Sequence, residues 1–359
     1  MKKNVLVEKP NCFIHEIFRV SPCKSIETGQ ANRVSEQGRT ANTLSKICNN
    51  NFFFVPLQCR LYLAVAVRKT TWEQLTGMSC FRRHKNESMK EPKRVLFISQ
   101  EIYPYLAEET PVRLLNRKLP ELCQQSGYET RTFMPKFGDI NERRNQLHEV
   151  IRLSGMNIII DDTDHPLLLK VASIQNARIQ IYFIDNDDFF RRRKGVTDEH
   201  GNDYADNDER CIFFARGVIE TVKKLRWTPD IIYCSGWMSA LAPLYLKTAY
   251  ADTPFFSRSK IVYSLYDQSF HTPFGTKFAE KILIDGVKPE QVRMLEGKEV
   301  CYDLLMQFAL EYSDAVVQSA PNLDAHLLGV VKESEKPFMP YNESYETYLS
   351  FFNQLLEEE

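Results

Sequence analysis

Lys93-Arg94-Val95-Leu96-Phe97-Ile98-Ser99-Gln100-Glu101 sets four consecutive apolar residues between a basic pair and a polar loop. An apolar run without alternation is the pattern of a parallel strand buried on both faces. Leu114, Leu115, Leu119 and Leu122 then fall on one side of a helix predicted to start near Pro111 and stop at Gly127, with proline early and glycine just past the end. Residues 129–134 read as a second strand. Segments 150–153, 158–160, 167–172 and 179–184 form a cluster of short β elements, separated by polar turns such as Asp161-Asp162 and Asn176. Alternation resumes with a helix over 212–225, a strand over 230–234, a helix over 238–249, a strand over 261–265, a helix over 300–311 and a strand over 315–318. That order predicts an α/β fold, a doubly wound Rossmann-like parallel sheet with a β-rich insertion. Tyr345, Leu349, Phe352 and Leu356 lie on one stripe of a final helix expected to pack back on the domain.

The chain has 359 residues, 43% of them hydrophobic, enough for a substantial core. Its net charge of −1 hides two compositions. Residues 1–88 hold 14 Lys and Arg against 6 Glu and no Asp, a balance of +8, whereas residues 89–359 sit at −9. The leading segment shows neither helical nor strand periodicity, and it lacks the ordered regions of a signal peptide. Its apolar stretch is broken by Pro56, Gln58 and Arg60, short of the roughly 20 residues a membrane helix needs. A basic arm ending in Arg82-Arg83-His84-Lys85 is one reading of it. Composition favours another, a disordered or upstream extension, with Met89 standing where an initiator would. The expected organisation is therefore 1–88 as extension, 89–335 as the Rossmann domain and 336–359 as a terminal helix, with no nucleic-acid or membrane partner.

Nine cysteines show no paired ligand spacing, so no metal site is legible. Cys123, Cys211, Cys234 and Cys301 read as small buried hydrophobes in a reducing compartment, which points to the cytoplasm. His271 and His326 have no acid or thiol at motif spacing.

Several segments, in order, resemble the glycogen and starch synthases of glycosyltransferase family 5. They are residues 95–101, Met134-Pro135-Lys136, Tyr182-Phe183-Ile184-Asp185-Asn186, Asp206-Asn207-Asp208-Glu209-Arg210, Trp227-Thr228-Pro229-Asp230-Ile231-Ile232, Trp237 with Ala240-Leu241-Ala242-Pro243-Leu244, and Tyr312-Ser313-Asp314. The resemblance covers roughly residues 93–328. It implies the amino-terminal half of a GT-B fold, two Rossmann-like domains facing a cleft. It also implies kinship with enzymes that transfer glucose from ADP-glucose to an α-1,4-glucan. In the family this first domain holds the acceptor glucan and closes over the donor.

The departures from that pattern concern chemistry. Breaking the glycosyl bond leaves charge on a diphosphate, which cations and backbone donors must hold. The family's K-x-G-G-L loop is here Tyr103-Pro104-Tyr105-Leu106-Ala107-Glu108-Glu109-Thr110-Pro111, with no glycine and two carboxylates. Its H-D-W is Ser235-Gly236-Trp237 followed by Met238, its H-N-L is Tyr266-Asp267-Gln268, and an expected lysine is Gln307. The length after residue 328 is short for a second Rossmann domain. The expectation is thus no catalytic residue, no cofactor and an impaired transferase that binds an α-glucan or maltooligosaccharide. Alternatives are one half of a two-chain glucosyltransferase, or a protein-interaction module whose open face takes a second chain.

The resemblance implies Glu101, Trp237, Asp185 and Asn186 as sugar contacts. Each has a plainer reading: a loop carboxylate for Glu101 and a packing ring for Trp237. Asp185, Asn186 and 206–209 also resemble divalent-metal ligands, though helix capping accounts for such clusters better. Arg191-Arg192-Arg193-Lys194 reads as a solvated loop.

Overall fold

The computed structural model describes residues 91–357 apart from 176, 178 and 192. The readings made for 1–88, for Met89, for the turn at Asn176 and for Arg192 lie outside the described residues. β1 (Arg94–Ser99) leads through α1 (Pro111–Gln125) to β2 (Glu129–Pro135). The insertion comprises β3 (His148–Glu149), β4 (Met156–Ile160), β5 (Thr163–Ile174) and β6 (Ile179–Asp185). Alternation resumes with α2 (Asn207–Leu225), β7 (Ile231–Ser235), α3 (Ala242–Lys247) and β8 (Lys260–Leu265). Short α4 (Phe278–Lys281) and α5 (Pro289–Val292) precede α6 (Tyr302–Glu311) and β9 (Ala315–Gln318). The described chain closes with α7 (Ala325–Glu333), β10 (Phe338–Met339) and α8 (Glu346–Glu357).

The strands form one sheet in the order β10-β9-β8-β7-β1-β2-β6-β5-β3, with β4 paired to β5. From β10 to β6 every neighbouring pair is parallel, and β5 turns antiparallel against β6, β3 and β4. Both halves wind outward from β1, so the strand order reverses between β1 and β7. A crevice opens outside the carboxyl ends at such a reversal.

Burial on both faces explains the uninterrupted apolar runs. In β1, Val95 and Phe97 enter the core shared with α1 and α8, while Leu96 and Ile98 enter the larger core with α2 and α6. β7 repeats the division, with Ile231 and Tyr233 on one face and Ile232 and Cys234 on the other. Thr110 starts α1 by accepting the Arg113 N–H at 3.2 Å, with Pro111 directly behind it. Asp161 and Asp162 make the tight β4–β5 turn with φ of 46° and 60°, as their sequence suggested.

Four expectations need correction. Segment 150–153 is a turn, because Val150 O accepts the N–H groups of Leu153 and Ser154 and the backbone closes on itself. The helix expected over 238–249 is broken into a 3-10 turn, Trp237–Ser239, and the short α3. Pro243 sits in the first turn of α3, where its missing N–H leaves no bond unmade and favours a fresh helix start. The buried stripe of α8 is Tyr348, Phe351, Phe352 and Leu355, with Tyr345, Leu349 and Leu356 only partly covered. Cys301 is exposed, whereas Cys123, Cys211 and Cys234 are buried; burial pushes the Cys123 thiol up to about 12. Among the described residues no helix is long and apolar enough to cross a membrane.

Candidate functional site

The loops after β1 and β7 meet at the reversal of strand order. Ser99 pairs with Ser235 at the end of the ladder, and Gln100 N–H donates to Ser235 O at 2.9 Å. The Gln100 side chain then crosses the seam, its Oε1 accepting the Met238 N–H at 3.1 Å. Gly236 makes this approach feasible, since at φ 94° a Cβ would stand 2.4 Å from the Tyr266 hydroxyl and 2.5 Å from Gln100 Cβ. That hydroxyl is buried without a hydrogen-bond partner, and burial holds its pKa well above the ordinary range.

Glu101 and Trp237 follow these adjacent strands and are brought to the seam together. Glu101 is 7% exposed and accepts from Arg113 Nε at 2.7 Å, while its backbone carbonyl accepts from Asn116 Nδ2 at 2.9 Å. Arg113 also donates to Glu108 O at 3.0 Å. The Glu101 carboxylate therefore pins the 102–110 loop to α1. Trp237 is 2% exposed, its indole edge-to-face with Phe270 at 5.2 Å and with Phe274 at 5.9 Å. The ring fixes the turn after β7 from beneath and leaves no open face for a sugar.

Asp185 and Asn186 sit elsewhere, at the carboxyl end of β6, three strand spacings from β7 or about 14 Å by the usual separation. Asp185 is fully buried and pairs with Lys170 at 2.8 Å; Lys170 also reaches Glu142 at 2.6 Å, and Lys136 meets Glu142 at 3.1 Å. Asn186 accepts the N–H groups of Asp188 and Phe189 at 2.9 and 3.1 Å and donates to Pro166 O at 2.9 Å. It thus caps the π-helical turn Asp187–Arg191. Capping does not extend to Asp206, whose side chain makes no cap bond on α2, and Asp208 and Glu209 instead bind Lys281 at 2.8 and 2.7 Å. Within the basic run, Arg191 pairs with Asp187 at 2.9 Å and Lys194 with Glu199 at 2.7 Å. His326 lies with Asp303 and Asp324, their ligand atoms within 4.8 Å, but Asp324 already caps α7 through the His326 and Leu327 N–H groups.

A cavity of about 410 Å³ opens at the carboxyl edge beside the seam. It is lined by the start of α1, from Thr110 to Leu115, by Asp267 and Gln268 after β8, and by Ser319, Ala320 and Pro321 after β9. The last wall is Tyr341, Asn342, Glu343, Tyr345 and Tyr348, which sequence reasoning did not connect to a site. Among the described residues no Lys or Arg lines it. Aromatic rims with carboxylates and amides suit a neutral, hydroxyl-rich guest better than a diphosphate.

Doubly wound topology with a crevice at the strand reversal defines a Rossmann-like α/β domain. The chain belongs to the starch synthase catalytic domain family, whose model matches residues 94–327. It is 34% identical over 250 residues to a glycogen synthase of Chlorobium limicola, covering 68% of this chain and 50% of that protein. A glycogen synthase of Chlorobium phaeobacteroides is 35% identical over 230 residues, 62% of this chain and 47% of that one. The chain spans about half the length of the curated relatives it matches. In fold it is similar to the catalytic domain of Starch Synthase IV from Arabidopsis thaliana, bound to ADP and acarbose. That match has a TM-score of 0.53 and 16% identity, over 69% of this chain and 51% of that one.

Proposed function

We propose that this chain is a glucan-binding member of the starch synthase family whose own transferase chemistry is impaired, acting in glycogen metabolism in the cytoplasm. The carrying observation is the 410 Å³ cavity, lined by tyrosines and by Asp267 and Glu343, with no cation among the described residues that line it. Glucose rings stack on aromatic faces and give their hydroxyls to carboxylates and amides, whereas a diphosphate at this place needs positive charge. Glu108 and Glu109, exposed on the loop after β1, would repel it, and Arg113 nearby is committed to Glu101. Gly236 and Met238 stand where the family carries polar or ionisable groups. Glu101 acts by holding the 102–110 loop, and Trp237 by holding the turn after β7. Asp185 and Asn186 act through the neighbouring loop around 186–191.

Calorimetric titration with maltooligosaccharides and, separately, ADP-glucose tests this reading. Saturable glucan binding is expected, weakened in Tyr345→Ala and in Glu101→Gln, with no glucose incorporated from ADP-glucose by the isolated chain. Absence of glucan binding would sink the proposal in favour of a protein partner, and primer elongation by the chain alone would sink the impairment.

A further inference from the structure

A second concavity of about 380 Å³ lies away from the crevice, between the loop after β1, the middle of α1, the segment after β2 and the end of β5. Arg117 and Arg144 both line it, and among the described residues no carboxylate does. Neither guanidinium has an ion-pair partner among the described residues, in contrast to Arg113, which the Glu101 carboxylate holds at 2.7 Å one turn earlier on α1. The Arg117 Nε is shielded from solvent and has no hydrogen-bond partner, while the Tyr103 ring, 5.6 Å from the guanidinium carbon, steadies it. Two guanidiniums lining one groove give it a positive potential that draws an anion, most strongly at low ionic strength. Their planar forks match the oxygens of a phosphate monoester. Around them the groove is neutral and polar, with Ser173, Asn145, Gln146 and Gln175 as partners for hydroxyl groups. Asn145 commits its amide N–H to Asn141 O at 2.9 Å, which leaves its carbonyl to accept. Tyr105, edge-on to Phe183 at 4.8 Å, closes the apolar side.

We propose that this groove binds a phosphorylated monosaccharide, with Arg117 and Arg144 on the phosphate and the amides on the sugar hydroxyls. The site shares no lining residue with the 410 Å³ cavity and is independent of the glucan reading. Calorimetry on the full chain would use glucose 6-phosphate, glucose and inorganic phosphate as probes. Glucose 6-phosphate is expected to bind most tightly, and Arg117→Gln and Arg144→Gln each to weaken it about tenfold, or about 1.4 kcal/mol. Circular dichroism and thermal unfolding check that both variants fold, and maltooligosaccharide titration of the double variant is expected to match the parent. No binding of glucose 6-phosphate, equal affinity for inorganic phosphate, or undiminished binding in the double variant would overturn the proposal.

Discussion

Single residues decide whether the seam between β1 and β7 can form. Gly236→Ala must drive a methyl group against the Tyr266 hydroxyl and Gln100 at a φ of 94°. It is expected to cost about 3 kcal/mol, read as a lower midpoint in urea. The Lys136–Glu142–Lys170–Asp185 cluster makes stability depend on pH from both sides. Burial alone would raise the Glu142 pKa, but its bonds to Lys170 and Lys136 outweigh that and bring it below its ordinary 4.5. A depressed carboxylate contributes stability that is present above its unfolded pKa and lost as pH falls through the folded value. Lys170 runs the other way: burial would lower it, yet Asp185 and Glu142 hold it above 10.5, so its contribution fades only as alkaline pH passes the folded value. Glu142→Gln is expected to flatten the acid limb of a stability profile measured below about pH 4.5. An unchanged acid limb in that variant would contradict this account.

Elements show where the sequence was legible and where it was not. The central strands could be read because both faces are covered, so four apolar residues in a row carry an unambiguous signal. α8 was found but turned by one position, since Tyr345, Tyr348, Leu349, Phe351 and Phe352 crowd the helix with apolar groups on nearly every side. β10 was missed because two residues carry no periodicity; it is placed by Lys336, one turn of chain ahead. Lys336 Nζ donates to the carbonyls of Leu310, Glu311 and Ser313 at 2.5, 2.9 and 2.6 Å, closing the carboxyl end of α6. Cations favour that end of a helix dipole. Lys336→Met is expected to lose about 1 to 2 kcal/mol, with faster amide exchange in β10 than elsewhere in the sheet. The strand pattern placed Glu101 and Trp237 at the carboxyl ends of β1 and β7, but neither lines the cavity, and the Arg113 link to Glu101 depends on how a loop folds. The cavity gathers residues from 110, 267, 319 and 341, a grouping no local pattern announces.

At the scale of the molecule, α8 returns beneath the centre of the sheet. Tyr348, Phe351, Phe352 and Leu355 share one core with β1, β7, β8, β9 and α1. The end of the described chain is therefore part of the same cooperative unit as its beginning. Phe352→Ala is expected to cost about 3 to 5 kcal/mol and to lower a single unfolding transition. A separate early melt of the terminal helix would argue against that coupling.

The sheet's margins carry a further consequence. At one side it stops at β10 and at the other at β3, two residues each, while the Ile159 carbonyl of β4 is taken by the Arg216 guanidinium. Among the described residues the outer edge of β4, five residues with Ile159 exposed, is then the longest ladder an intruding chain could copy. Self-association in concentrated solution is expected to run through that edge, and Ile159→Lys to slow it in light scattering over days of storage.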